Sequence, residues 1–182
     1  MENSKPGRFI VGKSYPFIGH TYTHQDGRSF PSATYTKWEG MTLTTHLVML
    51  TCESEHEVPI EYSEDTTKGY ILRDEQGREC HNQYPTASYG QIDTSSDYRA
   101  SMFDREKEEL LCYTRIDNAY ESIMRMESKH PDLVSDELRD IKAQILKFME
   151  DNNLKFEESD FMKQYHGAVF SYNIVEVSKG DS

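Results

Sequence analysis

Apolar and polar residues alternate with a period of two through much of the first hundred positions, which predicts strands. The run Met41–Cys52, Met-Thr-Leu-Thr-Thr-His-Leu-Val-Met-Leu-Thr-Cys, is the most apolar stretch of the chain. It opens half polar and becomes apolar on both faces over Leu47–Leu50, the pattern of a strand that starts at a sheet margin and enters a core. Shorter alternating stretches predict strands at Arg8–Gly12, Ser14–His24, Ser32–Trp38 and Val58–Tyr62. The last reads as an edge strand, because Pro59 has no N–H to give to a ladder. Asp26-Gly27, between Tyr22 and Phe30, predicts a hairpin, since Gly accepts the positive φ of a tight turn. Gly69–Arg73 and Arg78–His81 predict a second hairpin about a turn at Asp74–Gly77. Glu61–Thr67 reads as a loop, and residues 82–100 as a long connector.

From Ser101 the spacing becomes helical. Ser101 and Asp104 fit a capping box, and Phe103, Leu110, Leu111, Ile116, Ala119, Tyr120, Ile123 and Met126 continue it. Lys129, His130 and Pro131 supply a basic last turn and a stop. The helix expected over Ser101–Lys129 would be about 40 Å long. A second helix begins near Asp132–Ser135, carries one apolar stripe through Leu138, Ile141, Ile145, Phe148 and Met149, and ends at Asn152-Asn153. The short turn between them implies an antiparallel pair. Ser159–Tyr165 predicts one more helical turn. Ala168–Val177 alternates and reads as a strand that returns to the N-terminal sheet.

These elements predict a single α+β domain over 1–182. Residues 1–100 form an antiparallel β-rich part, 101–165 an antiparallel helical hairpin, and 166–178 a closing strand. At 182 residues the chain is long enough to bury a core without staples.

Charge narrows the function classes. The net charge is −12, and neither half is basic: residues 1–101 hold nine Lys and Arg against fourteen Asp and Glu, and residues 102–182 hold eleven against eighteen. Surfaces that track phosphates work by neutralising them with Lys and Arg, so direct nucleic-acid contact is disfavoured. An acidic surface instead attracts basic protein clefts, including clefts built for nucleic acid. Three widely spaced cysteines, an N-terminus with no apolar core region and no long apolar run together predict a cytosolic protein with reduced thiols.

Cys52-x3-His56, with Cys80-His81 on the next hairpin, is the one constellation that resembles a metal site. Zinc favours four such ligands in a tetrahedron. Neighbouring strand residues point to opposite faces, so at most three of these converge without a bulge. A thiol nucleophile, Cys52 or Cys80 with His46 or His56 as base, is the other catalytic arrangement the residues permit. A small zinc- or thiol-dependent enzyme centred on Cys52, His56 and Cys80 is therefore the alternative to a binding protein. No cofactor is expected.

The candidate contact residues for a protein partner are acidic and aromatic. Glu53, Glu55 and Glu57 alternate and would line one face of a strand, where like charges repel unless a cationic partner meets them. Asp104, Glu106, Glu108 and Glu109 would form an acidic first turn that imitates a phosphate row, or a solvated face favoured by the helix dipole. Tyr84, Tyr89 and Tyr98 supply rigid amphipathic contacts in the connector. The whole-chain profile resembles the small acidic inhibitors that phages and mobile elements encode against host nucleases, the anti-CRISPR inhibitors of Cas9 in particular. Size, acidity, absence of a catalytic motif and cytosolic character carry the resemblance, and no functional residue is carried over with it. It implies stoichiometric binding to a host nucleic-acid enzyme, often at a site meant for DNA.

Overall fold

The computed structural model describes residues 9–24, 29–32, 41–59, 64–82, 87–88, 91–92, 99–106, 109–165 and 170–177. The chain folds as two compact units, residues 1–115 and 116–182.

The first unit is a curled antiparallel sheet. Its strands are β1 (Ser14–His24), β2 (Ser29–Ser32), β3 (Met41–Pro59), β4 (Thr66–Arg73), β5 (Glu79–Asn82), β8 (Arg99–Asp104) and β9 (Glu109–Arg115). They lie in the order β2-β1-β3-β4-β5-β8-β9, and β9 also pairs with β1 over Phe17–Gly19, so the sheet curls back on itself. Two further short strands, β6 (Ala87–Ser88) and β7 (Gln91–Ile92), pair with each other. The central run behaves as its pattern predicts. The N-terminal half of β3 pairs with β1 from Thr51↔Ser14 to Met41↔His24 and its C-terminal half with β4. Leu50 and Cys52 enter a core with Phe9, Phe17, Tyr70, Leu72, Cys80, Ala100, Met102, Leu111 and Tyr113.

β1 and β2 pair as the expected hairpin, with Tyr22 in register with Phe30, and the Asp26-Gly27 turn itself lies outside the described residues. The second hairpin also holds. Gly77 sits at φ +83°, and the buried Asp74 carboxylate accepts from the N–H groups of Gln76 at 2.9 Å and Arg78 at 2.8 Å, and from Arg78 Nε at 2.7 Å. Closure of the sheet depends on Gly19, opposite Tyr113. A Cβ there would lie 2.8 Å from the Cys112 carbonyl oxygen and 2.9 Å from the Tyr113 ring, so β1 and β9 approach too closely for any side chain. At the end of β9 the Arg115 guanidinium stands over the rings of Tyr15 at 5.0 Å and Phe9 at 5.6 Å.

Several predicted elements change. Phe9 is buried as expected of a core residue, but Val11 and Gly12 form a turn rather than a strand. β3 runs unbroken to Pro59, so Val58 and Pro59 prolong the central strand, and Ile60–Ser63 lie outside the described residues, as do Ala33–Gly40. Thr66 and Thr67 belong to β4 rather than to a loop.

The largest correction falls at 101–115. Ser101 is not a helix cap: it lies in β8 opposite Cys112 of β9, and Asp104 faces Glu109 at the end of the same hairpin. Period-two burial explains this, since Ala100 and Met102 on β8 and Leu111 and Tyr113 on β9 all enter the sheet core. Between them Arg105 and Glu106 form a turn, not a first helical turn.

The second unit holds helices α1 (Ile116–Lys129), α2 (Asp136–Asp151) and α3 (Asp160–Gln164) with strands β10 (Leu154–Glu158) and β11 (Tyr172–Glu176). A 3-10 turn over Pro131–Leu133 separates α1 from α2. Ser135 caps α2 by accepting from Leu138 N–H at 3.2 Å, and Leu138, Ile141, Ile145 and Met149 of the predicted stripe are buried. Asn153, at φ +58°, ends the helix in the left-handed region that Asn tolerates. Ser159 caps α3 by accepting from Met162 N–H at 3.1 Å.

The final strand does not return to the main sheet. β11 pairs with β10, from Leu154↔Glu176 to Glu158↔Tyr172. Leu154-Lys155-Phe156 alternates directly after the helix stop and offers a partner that needs a loop of only fourteen positions, from Glu158 to Tyr172. Local closure costs less entropy than a return to the N-terminal sheet.

Candidate functional site

The three glutamates of β3 do not form one row. Between Cys52 and Ser54 the β3–β4 register shifts by one residue, a β-bulge that leaves Glu53 as the extra residue. Before it, Thr51 faces Arg73 and Cys52 faces Leu72; beyond it, Ser54 faces Ile71, Glu55 faces Tyr70 and Glu57 faces Lys68. Because side chains alternate, Glu53 shares the face of Arg73, whereas Glu55 and Glu57 share the face of Tyr70 and Lys68. The expected repulsion along one face is thus relieved within the sheet.

Each group finds partners on its own face. Glu53 holds Arg73 through both carboxylate oxygens, and Arg73 also reaches Glu79 at 2.9 Å and the Gly77 carbonyl at 2.8 Å. Glu79 lies 3.5 Å from His81 Nε2. The hydrogen bond that Arg73 donates to Glu53 holds the Glu53 carboxyl below its ordinary pKa and raises that of Arg73. On the other face Lys68 Nζ meets Glu55 at 2.9 Å, and the Thr66 hydroxyl donates to Glu57 at 2.5 Å. All three glutamates remain exposed to water.

Residues 53–79 hold nine acids and three cations. Each cation is already bound to a carboxylate: Lys68 to Glu55, Arg73 to Glu53 and Glu79, Arg78 to Asp74. Glu64 and Glu75 are exposed and have no cation among the described residues. The stretch therefore presents excess negative charge to solvent.

The thiols lie elsewhere. Cys52 and Cys80 face the core on either side of Leu72, which pairs with both across three strands. Burial pushes the Cys80 thiol up to about 12, with Asp74 adding to the rise, and burial followed by the Glu55 charge raises Cys52. A thiolate is the nucleophile and the metal ligand, so these environments oppose both roles. His56 is exposed while Cys52 is 1% exposed, so the two do not converge. His46 instead meets the Thr21 hydroxyl at 3.1 Å. No group of three or more His, Cys, Asp or Glu side chains among the described residues could hold a metal ion.

The second acidic cluster is a hairpin tip rather than a helix face. Asp104 ends β8, Glu106 is exposed in the turn and Glu109 opens β9. Glu108, Tyr84, Tyr89 and Tyr98 lie outside the described residues. Among the described residues no helix is long and apolar enough to cross a membrane.

Sequence reasoning missed an aromatic site in the second unit. Tyr120 stacks on Phe156 with ring centres 4.2 Å apart and planes within 9°, and Tyr172 meets Tyr120 edge-on at 5.0 Å. Beside it an open groove of about 420 Å³ is lined by Leu146, Met149, Leu154, Phe156 and Val177. The signal was the Leu154-Lys155-Phe156 alternation. The chain matches no protein-family model, no curated protein and no solved structure.

Proposed function

We propose that this chain is a non-enzymatic binding protein that blocks a host nucleic-acid enzyme, of the Cas9 nuclease class, by protein–protein contact in the host cytosol. One observation carries the reading: among the described residues of β3, β4 and the turns that flank them, every cation is already held by a carboxylate, and exposed acids are left over. A surface of this kind is drawn to the basic channels in which such enzymes hold nucleic acid. Glu53, Glu55, Glu57, Glu64 and Glu75 are its charged contacts. The bulge at Glu53 divides the three on β3 between two faces, which suits a sheet margin inserted into a cleft rather than a flat docking face. The alternative, chemistry at Cys52, His56 and Cys80, has no support in the placement of those side chains.

Capture of a Cas9-type nuclease on the immobilised chain, repeated across salt, tests the reading. Between about 0.1 and 1 M salt the Debye length falls from about 10 to about 3 Å, so charge-steered capture should be lost over that range. Failure to retain the nuclease at low salt, or retention indifferent to salt, would contradict the reading.

A further inference from the structure

The β10–β11 ribbon has an open edge. Val177 N–H donates to the Asn153 carbonyl at 2.8 Å and Ser159 N–H to the Ser171 carbonyl at 3.0 Å, which fixes the phase of the ladder. With the register Phe156↔Ile174, the inter-strand bonds fall on Lys155 and Glu157 of β10 and on Asn173 and Val175 of β11. The N–H and C=O groups of Leu154, Phe156 and Glu158, and of Tyr172, Ile174 and Glu176, point away from the partner strand. On β11 the outward N–H of Tyr172 is taken by Glu121 Oε1 of α1 at 3.0 Å. On β10 the outward groups of Leu154, Phe156 and Glu158 have no partner among the described residues. An unpaired edge of this kind is a template for another strand.

We propose that β10 pairs antiparallel with β10 of a second copy, joining two ribbons into one four-stranded sheet about a two-fold axis at Phe156. The sequence of the edge is complementary to itself in that register. Phe156 faces Phe156 of the second copy, Leu154 faces Glu158, and Lys155 faces Glu157 in both directions. Phe156, Leu154 and Glu158 occupy the hydrogen-bonded positions. Lys155 and Glu157, both exposed on the solvent side, fall in the closer non-bonded positions, where opposite charges attract most. Moving the axis by one residue sets Lys155 against Lys155 or Glu157 against Glu157, so charge selects the register centred on Phe156. The apolar groove beside β10, with Leu146 42% exposed, gives the added strand apolar surface to cover. A two-fold interface is the commonest closed form of self-association. This pairing is independent of any contact with a nuclease.

Sedimentation equilibrium of the full chain tests it. The wild type should rise with concentration from 21.2 kDa towards twice that mass. Lys155→Glu and Glu157→Lys should each remain monomeric, with far-UV circular dichroism unchanged. The double reversal, Lys155→Glu with Glu157→Lys, should dimerise again, and an equimolar mixture of the two single variants should form the heterodimer, because each then meets opposite charges. A wild type that stays at 21.2 kDa up to about 0.5 mM, a concentration that would reveal even millimolar-range association, overturns the proposal. So do single variants that dimerise like the wild type, or a mixture that does not associate.

Discussion

Glu53 and Glu55, two positions apart on β3, reach cations on opposite faces of the sheet: Glu53 holds Arg73, and Glu55 meets Lys68 at 2.9 Å. The bulge between Cys52 and Ser54 produces this division. It converts what would be a self-repelling row into two separately neutralised pairs, and it leaves the surplus charge at the margins of the β3–β4 pair.

The Glu53 carboxyl should titrate below the ordinary glutamate range, because Arg73 donates to its charged form. Its folded pKa is depressed, so the pair contributes above the ordinary carboxylate range and is lost as pH falls through the lowered value. Carboxyl NMR should show this midpoint, and Arg73→Ala should return Glu53 to the ordinary range. Lys68→Ala should leave Glu53 unmoved, since Lys68 serves the other face.

The native protein should leave Cys52 and Cys80 unmodified by a thiol reagent near neutral pH, with half-buried Cys112 the first to react. Denaturant should expose all three. Because Cys80 ionises at about 12 in the fold against an ordinary 9.0, its contribution is complete below 9.0 and fades as pH rises towards about 12. Alkaline unfolding of Cys80→Ala, measured relative to its own stability at neutral pH, should therefore be shallower.

Gly19→Ala should loosen the closure of the sheet. The added methyl meets backbone and ring of β9 at 2.8 and 2.9 Å, and overpacking of this kind costs about 1–3 kcal/mol. Urea denaturation should report the loss, and amide exchange should rise first at Phe17–Gly19 and Tyr113–Arg115, where β1 and β9 pair.

Asp74→Ala should weaken the β4–β5 hairpin by about 1–3 kcal/mol, because it removes a buried acceptor of two backbone N–H groups and of Arg78 Nε. Chemical denaturation gives the magnitude. Faster exchange at Gln76 and Arg78 would locate it.

Much of this architecture is legible in residue patterns. The strands on either side of Asp26-Gly27 pair as a hairpin, with Tyr22 in register with Phe30, and the Leu138–Met149 stripe defines α2. The β8–β9 hairpin is not legible because a run of acids and lysine at 104–109 is equally good chemistry for a helix N-terminus. Only burial of Ala100, Met102, Leu111 and Tyr113 in a core assembled from distant strands decides for the hairpin. The pairing of β11 turns on β10, five residues too short to be told from a loop. The bulge is invisible because Glu53-Ser54-Glu55 alternates without interruption while the register beneath it slips. Of the candidate site, the burial of Cys52 continues the apolar run Leu47–Leu50, whereas Cys80, flanked by Glu79 and His81, is placed in the core only by its pairing with Leu72, and the division of the glutamates likewise needs the partner strand.

The most direct measurement is a titration of Cas9-type DNA cleavage with increasing amounts of this chain at fixed enzyme. Cleavage should fall linearly and end at a fixed molar ratio of this chain to the enzyme. Glu64→Lys with Glu75→Lys should move that end point to a large excess while the fold is retained. Cleavage unaffected at any ratio, or abolished by a small fraction of an equivalent in a time-dependent manner, would contradict the proposed function.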